Sequence, residues 1–214
     1  MGRDLGELYY ALSGELVWLN WEWSQFTKLY ATKQSRLNLM NETAPFFFVI
    51  VQRLLWHNAL LSLSRLAGPP RNAGKDNLSI RRLPGAVADS KFRKKIQRLV
   101  NRAVKRSTFA ITWRNKYLAH RDLNRALRRR AGQLPIASQK RLEAALAAIA
   151  DVLNALQLRY EGSTTLYGFA DVAWDADSLL GVLRDGQIRE QLRSKRLEAG
   201  EYYPEDWNDH LPAV

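Results

Sequence analysis

A long apolar seam at the start of the chain constrains the fold more than any other feature of the sequence. Large apolar side chains return in alternating steps of four and three, at Leu5, Tyr9, Leu12, Leu16, Leu19, Trp23, Phe26 and Tyr30. Because an α-helix turns once every 3.6 residues, this spacing keeps them on one face over many turns. The sequence therefore predicts a first helix over about residues 5–38 that buries this face against other helices.

Helical signals continue along most of the remaining chain. A second helix is predicted from Pro45 to about Ala67, since proline is tolerated in a first helical turn and the glycine and prolines that follow end the apolar run. Three more are predicted: one with Phe92, Ile96, Leu99 and Ala103 inward, one that begins near Ser107, and one that Ser138 caps. Strand signals are weak. We expect an all-α, antiparallel bundle with four to five core helices.

The character of the chain changes after Tyr160. Residues 161–165 are typical of a turn, and Asp177 is predicted to cap a last helix that reaches about Leu197. From Glu198 onward the sequence contains acids and neither Lys nor Arg. We expect residues 1–160 to form the bundle and residues 161–214 to form a C-terminal extension packed on it, with one helix and an acidic tail.

Composition narrows the classes of function. The 214 residues include no Cys and three His, so disulfides, thiolate nucleophiles and a dedicated zinc site are not expected, nor is any cofactor. The longest purely apolar run, residues 45–51, is far shorter than the roughly 20 residues that cross a bilayer. The N-terminal residues do not follow the pattern of a signal peptide. We expect a cytoplasmic protein that does not bind membranes.

Positive charge is concentrated in the middle of the chain. The net charge is +12, and between Lys91 and Arg130 the only acid among many Lys and Arg is Asp122. Such a segment is typical of a surface that binds a polyanion. The alternative is that these residues form the solvated face of two helices.

Within this basic segment, residues 113–122 combine a histidine with an arginine six residues before it. Histidine titrates near neutral pH, and a guanidinium is a fixed cation able to hold a phosphate. On a regular α-helix, Arg114 and His120 would lie about 120° apart around the axis and about 9 Å apart along it, with Tyr117 midway. A compact site would then need a second copy of the motif across an interface, or a ligand that fills the gap.

The run from Arg114 to His120, on a late helix of an all-α bundle with a basic surface, resembles the HEPN superfamily. With the run from Leu60 to Leu66 that ends the second helix, it looks most like the AbiU-type abortive-infection branch. The resemblance implies a metal-independent endoribonuclease that acts as a toxin or antiphage effector. It also implies an active site assembled from two copies of the motif at a homodimer interface, and a cognate antitoxin or partner protein is compatible with it.

The resemblance assigns a role to three residues. His120 would be the acid–base group on the ribose 2′-hydroxyl or on the leaving oxygen, since histidine transfers protons well near pH 7. Arg114 would hold the scissile phosphate and stabilise the charge that develops on it. Asn115 would orient one of these two side chains by hydrogen bonding.

Further RNA contacts are predicted from position and charge rather than from the resemblance. These residues would stack a base or bind flanking phosphates. They are Lys116, Tyr117, Arg121, Arg125, Arg128, Lys94 and Arg98.

The sequence is also consistent with other roles for these residues. His120 could cap the end of its helix, and Arg114 could pair with an acid of the first helix such as Glu15 or Glu22. His57 fits a hydrogen-bonded core histidine better than a functional one. The alternative function is a non-catalytic HEPN module, whose basic surface binds nucleic acid or a partner protein and whose bundle serves dimerisation.

Overall fold

The computed structural model describes residues 1–72, 74–118, 127, 133–168 and 175–203, and this part of the chain is almost entirely helical. It contains seven α-helices: α1 Arg3–Tyr30, α2 Gln34–Thr43, α3 Pro45–Leu66, α4 Leu83–Ala86, α5 Ser90–Trp113, α6 Gln139–Glu161 and α7 Ala176–Glu198. A 3-10 turn spans Ile80–Arg82, a π-helical turn spans Arg114–Leu118, and β1 Arg71–Asn72 pairs with β2 Lys75–Asp76 in a small antiparallel hairpin. The predicted all-α helical bundle is confirmed.

The apolar seam of α1 is buried as its spacing predicts, but the helix is shorter than expected. Every seam residue from Leu5 to Phe26 is buried, and Tyr30 is half-buried with its hydroxyl donating to the carbonyl of Phe48 over 2.7 Å. The predicted extension to residue 38 is wrong. The backbone is non-helical over residues 31–33, and Lys33 adopts an extended conformation from which α2 starts.

The chain forms two compact units. The first comprises Met1–Phe26 and Val51–Asp171, and the second comprises Thr27–Ile50 and Val172–Val214. In the first unit, side chains from α1, α3, α5 and α6 are fully buried, among them Leu12, Leu63, Ile96 and Ile149. The predicted division between residues 160 and 161 stays a prediction.

Helices α5 and α6 run antiparallel in the first unit. Arg102 forms an ion pair with Asp151 at 2.6 Å, and Arg106, further along α5, donates to the carbonyl of Ala144, earlier in α6. The predicted start of a separate helix near Ser107 is wrong, because α5 continues to Trp113. The hydroxyl of Ser107 donates to the carbonyl of residue 103 over 2.9 Å, four residues back, so it bonds within the helix instead of capping a new one.

The sequence predicted the cap of α6 correctly but not that of α7. Ser138 caps α6 as predicted, since its side chain accepts a hydrogen bond from the backbone N–H of Arg141. The cap of α7 is Asp175 rather than the predicted Asp177, whose backbone N–H donates to the Asp175 carboxylate over 2.8 Å. Helix α6 ends at Glu161, and its C-cap Gly162 takes a left-handed backbone conformation (φ 70°) that favours glycine.

Helix α3 has an unusual distribution of apolar residues. In the described part of the chain it is the one helix long and apolar enough to cross a bilayer, judged by length and composition alone. Core helices of water-soluble proteins pass the same test, so the expected absence of membrane binding stays a prediction. The first turns of α3 are largely exposed, with Phe46 77%, Phe47 58%, Val49 56% and Ile50 43% accessible.

Candidate functional site

The predicted motif begins where α5 changes into a π-helical turn. Residues Arg114–Leu118 form this turn, and the backbone N–H of Arg114 reaches the carbonyls of Ala110 and Ile111. A π turn inserts one extra residue into the helix, and such turns are frequent at functional sites. The regular α-helical spacing assumed between Arg114 and His120 is therefore wrong over residues 114–118, and residues 115–118 take directions around the axis that differ from those of an α-helix.

The Arg114 side chain lines a groove that we call the Arg114 groove. Its volume is about 340 Å³, and its charged lining residues are Glu15 from α1, Arg65 from the end of α3, Lys75 from β2 and Arg114 itself. In the described part of the chain, none of these three cations has a carboxylate oxygen within 4.0 Å. Three cations and one carboxylate make the groove a site with net positive charge, suited to an anion.

The hairpin that carries Lys75 into this groove is held by arginines of the 3-10 turn. Arg82 donates to the carbonyls of Asn77 and Pro70 over 2.8 and 2.5 Å and pairs with Asp76 at 2.6 Å. Arg81 donates to the carbonyl of Ala67 over 2.9 Å, just beyond the end of α3. These bonds fix the backbone on both sides of the hairpin, so the position of Lys75 is determined by the fold.

The arginine of α3 is held less rigidly, since one side-chain hydrogen bond to it is present among the described residues. The Nη2 atom of Arg65 donates to the hydroxyl of Ser62 over 2.9 Å, one turn earlier on the same helix. Its guanidinium keeps further donors available, since five N–H groups are present and this bond uses one. Arg65 can therefore offer donors to a ligand in the groove.

An aromatic row lies beside the motif. Tyr117 is half-buried, and its ring meets the ring of Trp113 edge-on at 5.6 Å between centroids and that of His57 edge-on at 5.8 Å. The Trp113 indole N–H donates to the carbonyl of Pro135 over 2.8 Å, which fixes the far end of the row. The contacts on both sides limit how far Tyr117 can turn to stack on an RNA base.

His57 lies next to the motif, and its surroundings shift its pKa. Burial lowers its pKa below the ordinary histidine value, and the positive charge of Arg53 lowers it further. The lowered pKa favours the neutral ring at pH 7, which can donate one hydrogen bond and accept another. The sequence favoured a core histidine here, whereas the structure places His57 half-buried against a motif residue.

The alternative partners predicted for Arg114 differ in availability. The carboxylate of Glu22 already accepts from the indole of Trp18 at 2.9 Å and from the amide of Asn58 at 2.6 Å. Glu15 lines the Arg114 groove but, among the described residues, comes no closer than 4.0 Å to a cationic nitrogen. The structure thus gives Glu22 other partners, whereas Glu15 lines the same groove as the motif arginine.

The remaining predicted site residues fall into three groups. Asn115 and Lys116 are exposed on the π turn, and the amide oxygen of Asn115 lies 3.4 Å from Nη1 of Arg114. Lys94 and Arg98 are exposed on α5, but Arg98 is sixteen residues before Arg114, about 24 Å along the axis and about 160° around it. Four predicted residues lie outside the described part of the chain: His120, Arg121, Arg125 and Arg128.

Two cations of the Arg114 groove were not predicted as site residues. Arg65 lies in the run from Leu60 to Leu66, to which the resemblance assigns no catalytic role. Lys75 lies in a segment whose glycine spacing does not match a phosphate-binding loop. No local sequence pattern identifies Arg65 or Lys75, because tertiary packing brings both into the groove that Arg114 lines. In the described residues, no group of three His, Cys, Asp or Glu side chains has an arrangement able to hold a metal ion.

Comparison with known proteins identifies the family from the sequence. A search of curated proteins and a search of solved structures each gave no match. The family model HEPN_AbiU2, described as AbiU2, matches residues 3–183, which covers α1 to α6, the motif and the start of α7. The chain therefore belongs to the HEPN_AbiU2 family.

Proposed function

We propose that this protein is a metal-independent endoribonuclease of the HEPN type, which acts in the cytoplasm as a toxin or antiphage effector in abortive infection. The observation that carries the proposal is the Arg114 groove. It joins the motif arginine with Arg65 and Lys75 in a chain of the HEPN_AbiU2 family. Three cations around one concavity match the charge of an RNA phosphate better than that of a neutral ligand.

The chemistry would be the transfer of a phosphate ester within the RNA strand. The ribose 2′-oxygen loses its proton and attacks the neighbouring phosphorus, the bond from phosphorus to the 5′-oxygen breaks, and that oxygen gains a proton. The products are a 2′,3′-cyclic phosphate and a 5′-hydroxyl. Arg114 would bind the non-bridging oxygens, whose charge grows in the transition state, and Asn115 would orient its guanidinium.

This reaction requires a base and an acid at the same time, which favours a site built from two chains. The motif contains one histidine, His120, and one imidazole cannot be both neutral and protonated in the same instant. A two-fold symmetric dimer would supply two copies of His120. The exposed apolar side chains on the first turns of α3 support association, since apolar patches of this kind usually mark interaction surfaces. They are Phe46, Phe47, Val49 and Ile50.

The decisive experiment is RNA cleavage by the purified protein in excess EDTA. We expect cleavage to persist without divalent metal, and His120→Ala and Arg114→Ala to abolish it while leaving the dimer intact. Arg189→Ala is a matched control, because it removes an exposed arginine of α7 that is remote in sequence from the motif. Its cleavage rate should equal that of the wild type.

A different result would favour the second class of function. If the wild type, His120→Ala and Arg114→Ala bind RNA equally and none cuts it, the chain is a non-catalytic module that binds nucleic acid. If cleavage occurs but depends on added metal, the metal-independent mechanism is wrong. A cognate antitoxin would be detected as a protein that suppresses cleavage in a stoichiometric complex.

A further inference from the structure

A second groove, which we call the α5–α6 groove, lies between the first turns of α5 and the last turns of α6. Its volume of about 560 Å³ is in the range of sites that hold small molecules or single nucleotides. Cations outnumber acids four to one in its lining. The residues that line it are Asp89, Lys91, Phe92, Lys95, Arg98, Ala155, Leu158 and Arg159.

Three of these cations form a row on the rim. Lys91, Lys95 and Arg98 recur at steps of four and three, so they lie on one face of α5, and all three are exposed. In the described part of the chain, none of them has a carboxylate within 4.0 Å. The groove acid, Asp89, lies instead 3.7 Å from Arg159. The row is therefore available to an anion.

The groove also offers apolar and aromatic surface beside this charge. The ring of Phe92 is half-buried, meets Tyr160 edge-on at 6.0 Å and lies under the guanidinium of Arg159 at 5.9 Å. Leu158 is 58% exposed, a large apolar side chain that water covers in the absence of a ligand. A flat ring joined to a phosphate satisfies both halves of such a surface, the ring on the apolar floor and the phosphate on the cations.

The α5–α6 groove is separate from the Arg114 groove of the same chain. Since Arg98 lies about 24 Å along α5 from Arg114 and on almost the opposite side of the helix, one nucleotide cannot contact both. For comparison, successive phosphates along one strand of a DNA duplex rise by about 3.4 Å, so this axial distance spans several nucleotides.

We propose that the α5–α6 groove binds a nucleotide of the RNA substrate far from the cleaved bond, so that the protein selects RNAs long enough to reach both grooves. The inference takes from the proposed function only that RNA is the ligand, and it does not depend on cleavage. The same chemistry could be offered by a free nucleotide, so the experiment must separate the two sources.

The test measures RNA binding by fluorescence anisotropy with a 20-nucleotide RNA and a 4-nucleotide RNA, both in the His120→Ala background. We expect Arg98→Glu to weaken binding of the long RNA by at least about tenfold and to lower the salt dependence by about one phosphate contact. The short RNA should lose much less affinity. Arg189→Glu makes the same change of charge on α7 and should alter binding of the long RNA by less than about twofold.

A second variant tests the apolar floor. Phe92→Leu keeps an apolar side chain and removes the aromatic face. It should therefore weaken binding of the long RNA about fivefold without changing the salt dependence of binding. If adenosine monophosphate displaces the RNA from the wild type at micromolar concentration, the groove belongs to a free nucleotide and the length selection is wrong. Equal losses for long and short RNA, or for Arg98→Glu and Arg189→Glu, would also overturn it.

This outcome can be distinguished from failure of the proposed function. If the wild type cuts RNA while Arg98→Glu binds the long RNA as tightly as its control, only the α5–α6 groove is wrongly assigned. If no form of the protein binds RNA of either length, both proposals fail together. Equal thermal unfolding midpoints of Arg98→Glu and Arg189→Glu would show that the comparison concerns two folded proteins.

Discussion

Arg114 depends for its chemistry on side chains that are far away in sequence. Arg65 arrives from the end of α3 and Lys75 from the hairpin, and both line the groove of the motif arginine. Cations held close together concentrate positive potential, so a bound phosphate relieves their mutual repulsion as well as making contacts. The sequence could identify Arg114, because its motif is local, but not Arg65 and Lys75, whose approach depends on how α3 and the hairpin pack.

Lys75 offers a direct test of this groove at the level of one side chain. Replacing it with glutamine removes a charge-assisted contact to phosphate, so kcat/KM for RNA cleavage should fall by about tenfold or more. Lys140→Gln removes an exposed lysine at the start of α6 and serves as the control, with an expected change below about twofold. Equal losses in the two variants would mean that Lys75 contributes only to the overall charge.

His57 should make folding stability depend on pH. Its pKa is lowered in the folded protein by burial and by Arg53, so the unfolded chain takes up a proton at higher pH than the folded one. This residue therefore costs no stability above the unfolded pKa of about 6.5, and it lowers the free energy of unfolding as the pH falls through that value.

Denaturation of the wild type and of His57→Gln between pH 8 and pH 5 measures this effect. The wild type should lose more free energy of unfolding over this range than the variant, because glutamine does not titrate. The other two histidines are common to both proteins, so their contributions cancel in the comparison. If the free energy of unfolding falls equally with pH in the two proteins, the burial of His57 does not lower its pKa.

At the scale of the elements, sequence patterns predicted helical faces better than helix ends. The α1 seam, the start of α3 and the Ser138 cap of α6 follow from periodicity, from proline and from a capping side chain. The end of α1 at Tyr30 has no glycine or proline to mark it, and the continuation of α5 past Ser107 depends on a hydroxyl that bonds back within the helix. At both positions the local sequence allows the helix either to end or to continue, and tertiary contacts decide between the two.

The cap of α7 combines two stabilising contacts in one side chain. The Asp175 carboxylate accepts a hydrogen bond from Lys28, which is the main reason its pKa is lowered, and it also accepts from the backbone N–H of Asp177. Asp175→Asn should lower the free energy of unfolding at pH 7 by about 1–2 kcal/mol, because it removes the ion pair with Lys28, while the amide oxygen of asparagine can still cap the helix. Asp177→Asn, at a more exposed carboxylate, should cost less.

The pH dependence of this variant follows from the direction of the pKa shift. A lowered carboxyl pKa stabilises the folded state above the unfolded pKa of about 3.9, and that stabilisation is lost as the pH falls through the folded pKa. Chemical denaturation at pH 7 and at pH 3 should therefore show a smaller difference between Asp175→Asn and the wild type at the lower pH. If the two proteins differ in free energy of unfolding as much at pH 3 as at pH 7, the loss in Asp175→Asn comes from packing and not from charge.

At the scale of the whole molecule, the cations early in α5 and the motif arginine lie on different sides of the helix. The sequence predicted one basic surface that includes the motif, because a linear count of charge does not show the side of a helix on which each residue lies. The helical rotation between Arg98 and Arg114 separates them, and the π turn over residues 114–118 departs from the regular α-helical rotation. The position of His120 relative to a second chain likewise depends on assembly, which no local pattern encodes.

A composite site predicts how active and inactive chains behave when they are mixed. If cleavage needs His120 from both chains, a dimer with one His120→Ala chain is inactive. In an equal, randomly assorted mixture, about one quarter of the dimers contain two wild-type chains, so activity per total chain should fall to about a quarter; independent sites would leave about half. Coexpression of the two chains with different affinity tags, followed by cleavage measurements on the mixture and on the purified mixed dimer, decides between these values. A mixed dimer that retains half of the wild-type rate would show that each chain carries a complete site, and the role of the second chain would then be limited to stability.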